Sequence, residues 1–174
     1  MSALDSKNSV GDSSPALPVR KQLYHAPPSW VRCDEPFFIT VCCAERGRAQ
    51  LNQPAVFAVM TEAIEHYVTA GRWWVECFLA MPDHWHALIA FPEQEQMERV
   101  LRDWKRYVAK QSGIVWQDGF FDHRLRSAKK ANETWHYIEQ NPVRKGLCVA
   151  PEDWPWKWRA AEKASGPMGR ARCP

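Results

Sequence analysis

Two neighbouring apolar runs constrain the fold of this chain more than any other feature. The first is WWVECFLAM at residues 73–81 and the second is HWHALIAF at residues 84–91. Only Pro82 and Asp83 separate them, and residues of these types favour a tight turn. Runs of this length that are apolar at nearly every position are typical of central strands buried on both faces. The pair therefore predicts a β-hairpin at the centre of a sheet.

The flanking segments predict the remaining elements. They are a strand at PFFITVCC (36–43), a helix from Pro54 to Gly71, a second helix at 95–111, a short β-ribbon or a strand plus loop at 114–125, and a last helix at 128–141 with Ser127 as its N-cap. This order predicts an α+β sandwich of the ferredoxin-like or RRM-like type, with a central, mostly antiparallel sheet and helices on one face. Most of the tryptophans, including Trp74, Trp104 and Trp135, are expected in the core.

Length and composition suit one domain. The 174 residues divide into a polar N-terminal tail at 1–19 that we expect to be disordered, a folded domain at 20–160 and a basic C-terminal tail at 161–174. No apolar run approaches the ~20 residues of a membrane span, and the N-terminus lacks the apolar region of a secretory signal. The six cysteines include no C-x-x-C pair. We therefore expect a cytoplasmic protein with no membrane partner.

Basic residues are concentrated in one part of the chain. Residues 99–130 hold nine basic and three acidic residues, whereas the whole chain has a net charge of +3. Such a concentration suits an anionic partner, and nucleic acid is the first candidate. An ordinary solvated face explains the charge alone equally well.

His84-Trp85-His86 is the sharpest local feature. Alternate side chains of a strand point to the same face, so both imidazoles share one face and Trp85 packs on the other. Two histidines so placed can bind one divalent metal if a facing element supplies a third ligand. The alternative is a pair of ordinary core or surface histidines.

Tyr137 and Asn141 are spaced one helical turn apart and flank the apolar stripe of the last predicted helix. A phenol beside an amide, facing a metal, could serve as nucleophile and third ligand. A half-buried tyrosine and a helix-capping asparagine are the simpler reading, and spacing alone favours it.

Five segments, in order over about residues 22–158, resemble one family. MPDHWHALIAF is similar to the Met-Pro-Asn/Asp-His-x-His signature of the HUH single-strand transposases, and YIEQNPVRKGL resembles the tyrosine segment of their REP-associated branch. VWQDGFFDHRLRS, PFFITVCCAERG and PEDWPWKW resemble three further motifs of that branch. Two positions depart from it: Trp85 replaces an aliphatic residue, and Lys157-Trp158 replaces a pair of serines.

The resemblance implies a metal-dependent single-stranded DNA endonuclease and strand transferase. In it Tyr137 would be the nucleophile that forms a 5′-phosphotyrosine link, His84 and His86 would bind Mg²⁺ or Mn²⁺, and Asn141 would be the third ligand. The implied partner is single-stranded DNA beside a hairpin of the REP type. The alternatives are a domesticated hairpin-DNA-binding protein without turnover and an RNA-binding module. The choice between a monomer and a homodimer stays open.

Phosphate contacts are expected from basic residues of the second and last helices and of the segment between them. The candidates are Arg99, Arg102, Arg106, Lys110, Arg124, Arg126, Lys129 and Lys130.

Overall fold

The computed structural model describes residues 35–160, so the two predicted tails lie outside the described residues. Within this range the chain forms five strands and four α-helices, with a 3-10 turn at Pro151–Asp153. The elements are β1 (Phe37–Cys42), α1 (Pro54–Thr69), β2 (Trp74–Ala80), β3 (His84–Ala90), α2 (Met97–Ser112), β4 (Phe121–Arg124), α3 (Ala128–Glu139), α4 (Asn141–Arg144) and β5 (Lys157–Arg159). None of the helices in this range is long and apolar enough to cross a membrane.

The strands form one sheet in the order β4-β1-β3-β2-β5, and every neighbouring pair is antiparallel. Helix α1 connects β1 to β2, and α2 connects β3 to β4, which are the interleaved crossovers of a ferredoxin-like fold. The predicted α+β class and the central hairpin are confirmed. The short edge strand β5, from the tryptophan-rich segment, was not predicted.

One face of the sheet packs against α1 and α2. Its core includes Trp85 and Trp104, both 0% exposed, with ring centroids 5.4 Å apart. The apolar stripe of α2 faces this core, and the helix ends at Gly113, whose φ of 74° places it in the left-handed region that glycine adopts without strain. The prediction that the helices lie on one face of the sheet therefore holds for α1 and α2.

Helix α3 packs on the opposite face. Its Ala131 and Ile138 join a second core with Leu88 of β3 and Leu79 of β2. These strand residues alternate away from Trp85, so they need a separate apolar cover, and α3 provides it. Ser127 caps this helix as predicted, by accepting a hydrogen bond from the Lys130 N–H at 3.2 Å.

Burial of the tryptophans is mostly as expected. Trp104 is fully buried and Trp135 is partly buried, with the Arg159 guanidinium 4.1 Å from its ring centroid. Trp74 is 42% exposed, so its predicted place in the core is wrong. It is the first residue of β2 and belongs to neither buried cluster.

Candidate active site

His84 and His86 lie side by side on β3. Their ring centroids are 4.8 Å apart and their planes are nearly perpendicular, at 80°. Both are partly buried, and Trp85 between them is buried in the core of the other face. We call the sheet face that carries the two imidazoles the histidine face; it is also the face that α3 covers.

Asp83, in the turn before β3, fixes the orientation of His84. Its Oδ1 lies 2.6 Å from the His84 Nδ1. The other oxygen accepts the Gly47 N–H at 2.7 Å and lies 3.2 Å from the Arg46 Nε. Burial alone would raise the pKa of the Asp83 carboxyl, but the hydrogen bonds from Gly47 and His84, together with the charges of His84 and Arg46, lower it. Asp83 is therefore a carboxylate that orients a neutral imidazole.

His86 is oriented by the neighbouring strand β1. Its Nδ1 lies 2.8 Å from the Thr40 Oγ1, and its ring stacks on Phe38 at 5.4 Å and 26°. Burial, followed by the charges of His84 and Arg46, lowers the pKa of His86 to about 3. It is therefore a neutral imidazole at neutral pH.

The pKa of His84 is also lowered, because burial outweighs the opposing effect of Asp83, and Arg46 and Lys145 lower it further. Each imidazole thus has its Nδ1 engaged, which leaves Nε2 as the nitrogen available to a ligand. Neutral imidazoles held in this way are ready to coordinate a metal.

Tyr137 lies on α3 and is 48% exposed. The Arg144 guanidinium of α4 stands over its ring, 4.5 Å from the centroid. Lys145, which follows Arg144, is near enough to His84 to lower its pKa. The end of α4 therefore brings positive charge to both the tyrosine and the histidine pair.

Asn141 is the first residue of α4, since α3 already ends at Glu139, two residues earlier, and does not extend to 141 as predicted. It is 9% exposed, and its Nδ2 has no hydrogen-bond partner among the described residues. A buried amide with unused hydrogen-bonding capacity calls for an explanation, and a bound group is one. The simpler reading of Asn141 as the cap of the last helix is wrong, since Gln140 occupies that position.

The candidate metal ligands are mixed nitrogen and oxygen donors. Within residues 35–160 no group of three or more His, Cys, Asp or Glu side chains is arranged to hold a metal ion. A site here would therefore depend on His84, His86 and the Asn141 amide, with water filling further positions. Two neutral imidazoles and an amide oxygen fit a divalent ion such as Mn²⁺, or Mg²⁺ that keeps part of its water shell.

The candidate phosphate contacts do not form one surface. Arg99, Arg102, Arg106 and Lys110 are exposed on α2, whose buried side packs on the face opposite the histidines. Arg126, Lys129 and Lys130 are exposed around the start of α3, and Lys130 lies 3.4 Å from Glu133. Arg124 is 15% exposed and lies 3.3 Å from Glu35. The sheet therefore separates the α2 group from the histidine pair.

Sequence reasoning did not single out Asp83, Thr40, Arg46 or Arg144. Asp83 directly precedes His84, so its proximity was a readable signal. Thr40 faces His86 only through the register of β1 against β3, which a single sequence does not reveal. Arg46 contacts Asp83 across 37 residues of sequence.

The chain is similar to transposases. It is 26% identical over 95 residues to the REP-associated tyrosine transposase of Escherichia coli (strain K12), an alignment that covers 53% of this chain and 58% of that protein. It is 25% identical over 140 residues to a Haemophilus influenzae protein named for the same family, covering 69% of this chain and 77% of the relative. The chain thus matches just over half the length of the Escherichia coli protein. A scan against family models gave no match.

A solved structure shares the fold. It is a REP-associated tyrosine transposase bound to a REP hairpin, with a TM-score of 0.66 and 22% identity, covering 78% of this chain and 82% of that one. The chain therefore shares its α+β sheet fold with a solved transposase, and both curated relatives that it resembles are named as transposases. The resemblance to the REP-associated tyrosine transposases is confirmed.

Proposed function

We propose that this protein cuts and rejoins single-stranded DNA beside a hairpin, with Tyr137 as nucleophile and a divalent metal held at the histidine pair. The observation that carries the proposal is the state of the two imidazoles. Asp83 and Thr40 engage both Nδ1 atoms, both rings are neutral, and both lie on the face that the tyrosine helix covers. This arrangement serves ligation, whereas a purely packed histidine pair has no need of it.

Positive charge prepares the site for a phosphodiester. Arg46 lies beside Asp83, and Arg144 and Lys145 follow Asn141. These cations would draw the anionic DNA backbone toward the histidine face. A divalent ion held by His84 and His86, with Asn141 as third ligand, would supply the Lewis acid that withdraws charge from the non-bridging phosphate oxygens.

The tyrosine oxygen forms the covalent link. The Tyr137 Oη attacks phosphorus, the bond from phosphorus to the 3′ oxygen breaks, and the products are a 5′-phosphotyrosine and a free 3′-OH. The proton of the phenol leaves during the attack, and the departing 3′ oxygen gains one. Arg144, over the ring, stabilises the negative charge that develops on the phenol. The link conserves the energy of the phosphodiester, so attack by a 3′-OH rejoins DNA without ATP.

The exposed basic residues are the groups that would contact the phosphates of the hairpin. The exposed group Arg126, Lys129 and Lys130 lies at the start of the tyrosine helix, and the α2 group lies on the other side of the sheet. We assign phosphate contacts to both groups, with Arg124 the weakest candidate because Glu35 already pairs with it. The structural neighbour bound to a REP hairpin supports a partner of this kind.

The test is cleavage of labelled hairpin oligonucleotides drawn from the sequence flanking the gene. Wild type, Tyr137→Phe and the control Tyr107→Phe on α2 would be run with Mg²⁺, Mn²⁺ or EDTA on denaturing gels. We expect a metal-dependent cut with a protein–DNA adduct in wild type and the control, and no adduct with Tyr137→Phe although it still binds. An adduct that survives Tyr137→Phe would contradict the assigned nucleophile. Binding without a cut by wild type, on all hairpins and with both metals, would indicate a domesticated DNA-binding protein.

A further inference from the structure

Two aromatic side chains lie on the histidine face where β1 and β4 form the edge of the sheet. Phe121 on β4 is 47% exposed, and Phe38 on β1 is partly buried. Their ring centroids are 6.1 Å apart in an edge-to-face arrangement. We call these two residues the aromatic shelf. Side chains alternate along the strand, so those of Phe120, Asp122 and Arg124 lie on the other face of the sheet. Phe121 is thus on the opposite face from these three residues.

The shelf is continuous with the histidine pair. Phe38 stacks directly on His86, with centroids 5.4 Å apart and an interplanar angle of 26°. The strand register places His86, Thr40 and Phe121 in one row across β3, β1 and β4. Two strand spacings give a separation of roughly 10 Å between His86 and Phe121 at the backbone. This is the scale that separates nearby nucleotides of an extended single strand.

The chemistry around the shelf fits an unpaired nucleobase. Proteins that bind single strands combine cationic groups along the backbone with exposed aromatic rings on which bases stack. Here Arg46 and Lys145 supply the charge next to the histidines, and Phe121 supplies the exposed ring beside them. A base inside a duplex has both of its faces covered by its neighbours, whereas an unpaired base has a face open to the ring.

We propose that Phe121 stacks an unpaired DNA base close to the phosphate that is cut, and so selects which phosphate of the strand reaches the histidine pair. This inference rests on the proposed function, because it takes the histidine face as the place of cleavage. Phe121 is a positioning residue, since its ring touches the substrate but none of the reacting atoms. Phe38 supports the ring from below and keeps His86 in place.

Binding of single-stranded hairpin oligonucleotides tests the proposal without requiring cleavage. The oligonucleotides would carry an abasic residue at each unpaired position in turn, and Tyr137→Phe would be the background so that no DNA is consumed. We expect Phe121→Ala to weaken binding by about 5- to 150-fold, the range for loss of one stacked base. In the parent, one abasic position should weaken binding to the same degree, and in Phe121→Ala that position should have no further effect.

Two controls separate the possible outcomes. Tyr107→Ala removes an aromatic ring of similar exposure from α2 and should leave the abasic profile unchanged. Phe121→Trp, which keeps a stacking ring, should bind as well as the parent. Equal binding by Phe121→Ala and its parent, or no binding of single strands at all, would overturn the proposal. A further outcome is a wild-type protein that shows an abasic position whose effect depends on Phe121 and yet forms no covalent adduct. That result would support base stacking on Phe121 and would overturn the proposed cleavage.

Discussion

Asp83→Asn tests the orientation of the histidine pair with a change of only one atom. The carboxylate makes two partly buried hydrogen bonds, one with each oxygen: one oxygen faces the His84 Nδ1, and the other accepts the Gly47 N–H. An asparagine has one oxygen and one NH₂ group, so it can accept from only one of these donors. With the amide oxygen toward His84, the Gly47 N–H is left facing NH₂. With the oxygen toward Gly47, NH₂ can donate to the His84 Nδ1 only if the imidazole proton moves to Nε2, the nitrogen that a metal would need.

The expected loss follows from these contacts. Loss of one partly buried hydrogen bond costs about 0.5–1.5 kcal/mol. The ion pair to Arg46 adds about 1 kcal/mol or less, since the arginine side chain is 45% exposed. The variant should therefore be about 0.5–2.5 kcal/mol less stable to unfolding at pH 7. Its affinity for Mn²⁺ should fall by about 10- to 100-fold, as is usual when the partner of a metal-binding histidine is altered.

Urea denaturation and calorimetric titration with Mn²⁺ measure the two effects, and Asp118→Asn in an exposed turn is the matched control. The pH dependence supplies a second check. The folded-state pKa of Asp83 lies below its ordinary value of 3.8, so its contribution is present above pH 3.8 and is lost as the pH falls through the folded pKa. The stability gap between wild type and variant should thus narrow in acid. Equal stability and equal Mn²⁺ affinity at pH 7 would refute the assigned role of Asp83.

Two further predictions concern stability. Trp154→Phe should destabilise the protein by about 1 kcal/mol more than Trp104→Phe. The reason is that Trp154 Nε1 donates to the Ala80 carbonyl at 3.0 Å, whereas Trp104 Nε1 has no partner among the described residues. Equal losses of stability in urea denaturation would contradict this. The pKa of His86 falls from 6.5 to about 3 on folding, so wild type should lose stability as the pH drops from 6.5 toward 3, by up to about 1.4 kcal/mol per pH unit for this one proton. His86→Gln should lose that part of the slope in urea denaturation from pH 4 to 7, and identical slopes would contradict the assignment.

The fold was readable from the sequence because local signals agreed with the global packing. The apolar runs of β2 and β3, the stripe of α2 and the Ser127 cap each point to the element that forms. The placement of α3 was not readable. Its apolar stripe shows that it packs on something, but the side of the sheet depends on how the chain crosses from β4, which no local signal specifies.

The candidate site was partly readable for the same reason. His84 and His86 share a face because side chains alternate along any strand, which sequence spacing captures. Their chemical state depends on Thr40 and Phe38, which are neighbours only across the sheet. The position of Phe121 was even harder to predict from the sequence. It lies level with His86 only because of two registers, that of β1 against β3 and that of β4 against β1.

The burial that keeps the His86 imidazole neutral also works against folding in acid. A histidine with its ordinary pKa would be partly protonated near pH 6 and would then compete poorly as a metal ligand. Burial beside Phe38 keeps this imidazole neutral well below that pH, while Thr40 engages Nδ1. The unfolded chain still takes up a proton on His86 below pH 6.5, so acid favours unfolding. Residues that cost stability in this way are characteristic of functional sites, and a histidine selected only for packing would gain nothing from the arrangement.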